Sequence, residues 1–251
     1  PRHTLGSLYG RIYANSLNSL SYPLEGHRWN VSAQLVSGWS RQNEHYYDTL
    51  TYETVSGETR TRALWAQFFG LYEGYTSPAR HFTLGFHAEA YYSFRPLLHN
   101  YTTTILQARH FAPTPHSRAT FNASYMANQY LAAGIKPIWR ISDIFHARWE
   151  TYLFMPIRSI KQVEKDHTGE RFVPTYYEPE YSSKLFNEVN LLSELSFVAD
   201  FKLITLGAYV NYYNYAYDSL FGNDMTRVKR RNDWNFGINL GVLLFKDRFL
   251  Q

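Results

Sequence analysis

From Trp234 to Leu244 the chain alternates, with Leu243 the one exception. Trp234, Phe236, Ile238, Leu240, Val242 and Leu244 fall on one face, and Asn235, Gly237, Asn239 and Gly241 on the other. Only an extended strand sends successive side chains to opposite faces, so a period of two sustained this long specifies a half-apolar β-strand and excludes a helix. Any fold for this chain must give that apolar row somewhere to go.

The pattern recurs upstream. Ile204, Leu206, Ala208, Val210 and Tyr212 alternate with Thr205, Gly207, Tyr209 and Asn211, and Val189, Leu191, Leu195 and Phe197 with Glu188, Asn190, Glu194 and Ser196. Phe145, Ala147, Trp149, Thr151, Leu153 and Met155 oppose His146, Arg148, Glu150 and Tyr152. Phe82, Leu84, Phe86, Ala88 and Ala90 oppose His81, Thr83, Gly85, His87 and Glu89, and Trp29, Val31, Ala33 and Leu35 oppose Asn30, Ser32 and Gln34. Weaker versions occupy 8–19, 61–75 and 122–141, which makes nine strands in all. The 22 Tyr, 17 Phe and 6 Trp favour half-buried sheet in the same way.

Connections alternate in length. Tight turns built from Pro, Gly, Asp and Ser are predicted at 22–26, 77–80, 142–144 and 199–201, and long loops at 41–60, 95–121, 159–184 and 216–231. Short turns at one end and long loops at the other are the habit of bacterial outer-membrane barrels, whose short turns are periplasmic and long loops external.

The polarity of the faces separates a membrane barrel from a soluble barrel or sandwich. A soluble barrel fills its interior with the apolar face and turns charge outward. Here the polar faces carry Glu89, Lys136, Arg140, Arg148, Glu150, Glu188 and Glu194, too many charges for a dry core without paired partners. The apolar faces are almost free of charge. Both facts fit an antiparallel transmembrane β-barrel with a wet or plugged lumen and a lipid-facing exterior. Trp29, Trp39, Tyr72, Tyr92, Trp139, Tyr212, Tyr213 and Trp234 stand near strand ends, where an interfacial aromatic belt would sit. A mean hydropathy of −0.41 is no objection, because alternating strands average low. No apolar run reaches the ~18 residues that a membrane-spanning helix needs.

If the final strand ends in the periplasm, parity places residue 1 on the external side. Closed single-chain barrels have an even strand count with both ends periplasmic. Either an N-terminal part of the barrel precedes residue 1, or one strand escapes the pattern.

The stretch Phe111-Ala-Pro-Thr-Pro-His-Ser117, with Tyr130-Leu-Ala-Ala-Gly-Ile-Lys-Pro-Ile138, resembles the C-terminal barrel of Bacteroidetes patatin-like phospholipases. Asn15-Ser-Leu-Asn-Ser-Leu-Ser-Tyr-Pro-Leu-Glu-Gly26 resembles a strand and turn of the wider bacterial surface-antigen barrel superfamily. The quoted motifs make up 28 of the 251 residues. The resemblance implies an N-terminal patatin lipase domain, a POTRA domain and a sixteen-stranded barrel of which these would be the last nine strands. It also implies that 95–121 is the long inward-folded loop of the superfamily. That loop elsewhere carries an Arg-Gly motif, and no Arg-Gly pair occurs here. The expected plug is therefore built from Arg109, Pro113, Thr114, Pro115, His116 and Arg118, with an arginine of the loop meeting Glu150 or Glu89. The last residues, Phe245 to Leu250, resemble the aromatic-ended signal for barrel insertion.

Signals for chemistry are few. The Gly-x-Ser-x-Gly elbow of a lipase is missing, and Gly38-Trp-Ser40-Arg-Gln42 lacks the second glycine. The 10 His form neither His-x-His nor His-Glu-x-x-His spacing, and with 0 Cys no thiolate site is open, so no metal or cofactor is expected. The outward serines Ser37 and Ser193 have no matching outward His. A formal charge of +4, with clustering only at Arg227-Val-Lys-Arg-Arg231, gives no support for nucleic-acid binding. That cluster lies in an expected external loop, within reach of lipopolysaccharide phosphates. Two functions fit these features. One is an outer-membrane anchor or translocation domain of a patatin-like lipase, non-catalytic itself and partnered by the bilayer and its upstream lipase and POTRA domains. The other is a stand-alone channel with a charged lumen.

Overall fold

The computed structural model describes residues 2–19, 21–48, 53–98, 101–165, 176–201, 204–217 and 229–242. Nine strands form one antiparallel sheet in strict sequence order: β1 (Arg2–Asn15), β2 (Gly26–Asp48), β3 (Glu53–Ala79), β4 (Phe82–Ser93), β5 (Gln129–Arg140), β6 (Phe145–Pro156), β7 (Asn190–Asp200), β8 (Ile204–Tyr217) and β9 (Lys229–Val242). Each strand pairs with the next, so the chain is an all-β meander, as the alternation predicts. β1 and β9 are the two edges, and they do not pair with each other among the described residues.

Two features refine the sequence reading. Residues 41–60, expected as a loop, are mostly paired strand, because β2 continues to Asp48 and the ladder with β3 runs from Gly26↔Tyr75 to Asp48↔Glu53. The stretch 122–141, expected as one strand, is a strand only from Gln129. Before it, Ala123–Tyr125 form a 3-10 turn and Met126–Ala127 pair with Arg109–His110. The final strand is described to Val242, so Phe245 to Leu250 lie outside the described residues, as do Arg227 and the tip of the 216–231 loop.

The β4–β5 connection, covering the expected loop 95–121, carries α1 (Tyr101–Gln107), and the β6–β7 connection carries a small hairpin, Ile160–Lys165 with Tyr176–Tyr181. Ile105, Ala108 and Ile160 join these two connections in one apolar cluster. The β1–β2 turn closes on Gly26, whose φ of 91° suits glycine and whose missing Cβ leaves room for the Ser16 carbonyl.

The sheet is curved. Tyr22, in the turn between the first two strands, accepts a hydrogen bond at 3.2 Å from Asn239 Nδ2 on the opposite edge strand. On the convex face the apolar rows lie open: Phe236 is 86% and Ile238 84% exposed, and Leu8, Leu64, Ile135 and Trp149 are exposed too. The concave face is the buried one, and it holds the charges: Arg148 and Glu194 are each 1% exposed and Lys136 2%. Of the expected belt residues, Trp39, Tyr72, Tyr92, Trp139 and Trp234 are exposed on the convex side. Tyr213 is a correction. It shares the parity of Asn211 and is buried on the concave side.

Three concave-face tyrosines stand directly opposite glycines on the neighbouring strand: Tyr75↔Gly85, Gly134↔Tyr152 and Tyr209↔Gly237. A Cβ at Gly237 would come 2.7 Å from the Tyr209 hydroxyl, so the ring lies over the bare glycine and the strands curve beneath it.

Candidate functional site

The concave face divides into a charged layer near the short turns and an aromatic layer near the long loops. In the charged layer, β2, β3, β5 and β6 aim side chains at one another. Glu150 accepts from Arg148 Nε at 2.8 Å and also from the Tyr152 hydroxyl, with Lys136 Nζ at 4.0 Å. Glu73 accepts from Lys136 and Arg28, and from the Tyr75 hydroxyl at 2.5 Å. Arg148 also donates to the Pro23 carbonyl at 3.0 Å, which ties the β1–β2 turn to the middle of the sheet. Two carboxylates thus share three cations and two phenols. That is the saturation of partners that lets buried ions persist, because each removed partner would strand a charge away from water.

A second cluster lies around His116. Thr114 and Ser117 close a tight turn on each other: Thr114 N donates to Ser117 Oγ, and Ser117 N to Thr114 Oγ1, both at 3.0 Å. This turn projects His116 onto the sheet. Its Nδ1 lies 2.7 Å from Glu194 Oε1 on β7 and its Nε2 3.1 Å from the Tyr22 hydroxyl, while its ring stacks on Tyr209 with centroids 3.7 Å apart. Burial holds the Tyr22 hydroxyl above the ordinary tyrosine range, so it stays protonated and can donate.

The third meeting point is Glu89 on β4. It accepts from the Tyr130 hydroxyl at 2.5 Å, and Arg109 of the connection lies 3.5 Å away, as does His87. Arg109 also donates to the Tyr130 hydroxyl at 3.1 Å and sits 3.7 Å from the Phe69 ring centroid. The arginine of the loop therefore meets Glu89 and not Glu150.

Above these clusters the aromatic layer joins the connection to the sheet. Phe111 stacks on Phe154 at 5.4 Å and touches Tyr130 and Tyr152 edge-on, while Tyr125 packs on Phe154 and Tyr213. Phe111, Thr114, His116, Ser117 and Tyr125 of this connection thus lie inside the curve of the sheet. Pro113 and Pro115 are half-buried and Thr114 fully buried.

Not every expected residue joins. Arg118 points out and is exposed. Arg140 stands at the short-turn rim, 3.7 Å from a largely exposed Glu25, because β5 ends there. Glu188 precedes β7 and lies 3.9 Å from Lys161 of the small hairpin, outside the central network. Conversely, Glu73, Arg28, Tyr75 and Tyr22 belong to the site although the alternation did not single them out. Glu73 was legible in principle: it shares parity with Gln67, but the neighbouring Trp65, Phe69 and Leu71 make that row of β3 read as apolar.

Among the described residues no group of three or more His, Asp or Glu side chains could hold a metal ion, and no helix is long and apolar enough to cross a membrane. Comparison with protein-family models, curated proteins and solved structures finds no match to this chain.

Proposed function

We propose that this chain is part of the wall of an outer-membrane β-barrel whose lumen is closed by residues 109–127, serving as the anchor or translocation domain of a patatin-like lipase. One observation carries the reading: the polarity of the sheet is inverted, with an open apolar convex face and a concave face that buries paired ions. In water the exposed rows of β1 to β9 would be a large aggregation-prone surface, whereas against hydrocarbon the same rows are favourable.

Dimensions support it. On β2, Trp29 and Trp39 are ten residues apart on the convex face. At about 3.3 Å per residue and a tilt near 40°, that spans roughly 25 Å along the normal, the height of the apolar band of such barrels. The seat of Arg109, Phe111 and His116 on the concave face supports a plug over an open channel. The lipase partnership rests on the two motif resemblances alone, and it locates the catalytic chemistry in other domains of the protein.

The test is fractionation and reconstitution of the full-length protein. The proposal predicts retention in the membrane through urea and carbonate washes, slower gel migration after heating in detergent, and little steady conductance in planar bilayers. Extraction by urea would refute the membrane assignment, and a stable open current would favour the diffusion channel. A patatin Ser-Asp dyad in the full coding sequence would support the lipase role.

A further inference from the structure

Resting on that membrane reading, we infer that the convex face of β2 and β3 at the long-loop end binds the phosphate groups of lipopolysaccharide in the outer leaflet. The convex row of β2 runs Leu35, Ser37, Trp39, Arg41, and that of β3 runs Phe68, Ala66, Leu64, Arg62, Arg60. The register sets Trp39 opposite Arg62 and Arg41 opposite Arg60. All three arginines are exposed, and the Arg60 guanidinium stands 4.6 Å from the Trp39 ring centroid.

Three guanidiniums thus gather within one step of an interfacial tryptophan, where lipid headgroups begin. A guanidinium matches a phosphate by paired N–H···O bonds, and several acting on one multiply phosphorylated headgroup add geometric selectivity to charge. Below them Trp39, Leu64 and Leu35 offer an apolar surface for acyl chains.

The convex face of β4 to β9 sharpens the contrast. Among its described residues the only Lys or Arg is Arg230 at the start of β9, which is committed to the Asn214 side chain and to the Val189 carbonyl at 2.8 Å. Across β4 to β9 the described convex face carries a single cation, at the start of β9, whereas β2 and β3 group three at one headgroup level.

The experiment uses the full-length protein in dodecyl maltoside. The probes are bisphosphorylated lipid A, its enzymatically dephosphorylated form and inorganic phosphate, with native mass spectrometry and thermal protection as readouts. The proposal expects binding and protection by the phosphorylated lipid and about tenfold weaker binding of the dephosphorylated form, the ratio worth about 1.4 kcal/mol. The Arg41→Gln/Arg60→Gln/Arg62→Gln variant should lose a similar factor, and the corresponding triple lysine variant should lose less. Equal binding of both lipids, or an unchanged glutamine variant that still resists urea extraction, would overturn the site. Protection by inorganic phosphate alone would overturn the lipid as ligand. Urea extraction of the wild-type protein would instead overturn the membrane reading. If the triple variant fails to integrate, Arg62→Gln alone, on an otherwise intact strand, carries the comparison.

Discussion

The two layers of the concave face solve the same problem by opposite means. Near the short turns, Glu73, Lys136, Arg148 and Glu150 fill the space with ions and hold them by mutual pairing. Near the long loops, Phe111, Tyr125, Tyr130 and Phe154 fill it with rings brought partly by the sheet and partly by the inserted connection. The ion pairs of the charged layer are strand against strand, and register fixes them. The aromatic layer is sheet against connection, so its integrity depends on a segment that could leave. The difference teaches that the wall and its filling need not share one stability.

The largest test of that division is Glu150→Ala. It would leave Arg148 and Lys136 as under-compensated buried cations, an expected loss of about 3–5 kcal/mol in the unfolding of the whole sheet, read from urea midpoints in micelles. Phe111→Ala should cost about 3 kcal/mol, but locally. Its signature is new proteolysis within 95–121 while the sheet keeps its midpoint, and a parallel drop in that midpoint would merge the two layers into one unit. Ile135→Arg, on the convex side of β5, should destabilise the protein by about 2–4 kcal/mol in vesicles. An unchanged or improved midpoint would speak for water on that face. Tyr22→Phe should cost about 1 kcal/mol by removing the hydroxyl that joins His116 to Asn239, seen as faster hydrogen exchange around 114–117.

The smallest effect is a pH dependence of the connection. Burial lowers the pKa of His110 below its ordinary value. Its neutral form is therefore favoured in the folded state, and that contribution is present above about pH 6.5 and lost as pH falls through the lowered value. Proteolysis of 95–121 should rise modestly on acidification, and His110→Gln should flatten the response.

How much of this was legible in the sequence follows from which faces see one environment. The nine strands were readable because the middles of their convex rows are mostly apolar and their concave rows mixed. The extension of β2 and β3 was not, since Arg41, Gln42, Asn43 and Glu44 are polar on both faces, and alternation vanishes where neither face meets an apolar phase. The charges were visible, but their pairing was not. Lys136 reaches Glu73 across β4, and Glu194 finds its partner in a connection 78 residues away, distances that no local pattern encodes. His116 could be named from the motif and Arg109 from the loop around it, whereas Arg118 shares their segment and is exposed.

The three tyrosine–glycine pairs have a consequence for assembly. In a meander of repetitive, alternating strands a shift by two residues preserves the faces, so hydrophobicity alone would tolerate it. Such a shift would set Tyr209 against Asn235 or Asn239, and Tyr75 against Thr83 or His87, where a side chain occupies the space that the ring needs. The glycines therefore act as index marks, one at each of the β3/β4, β5/β6 and β8/β9 seams. A Gly237→Ala chain would be expected to mispair at one seam while keeping its hydrophobic pattern, a proofreading defect with no counterpart in composition.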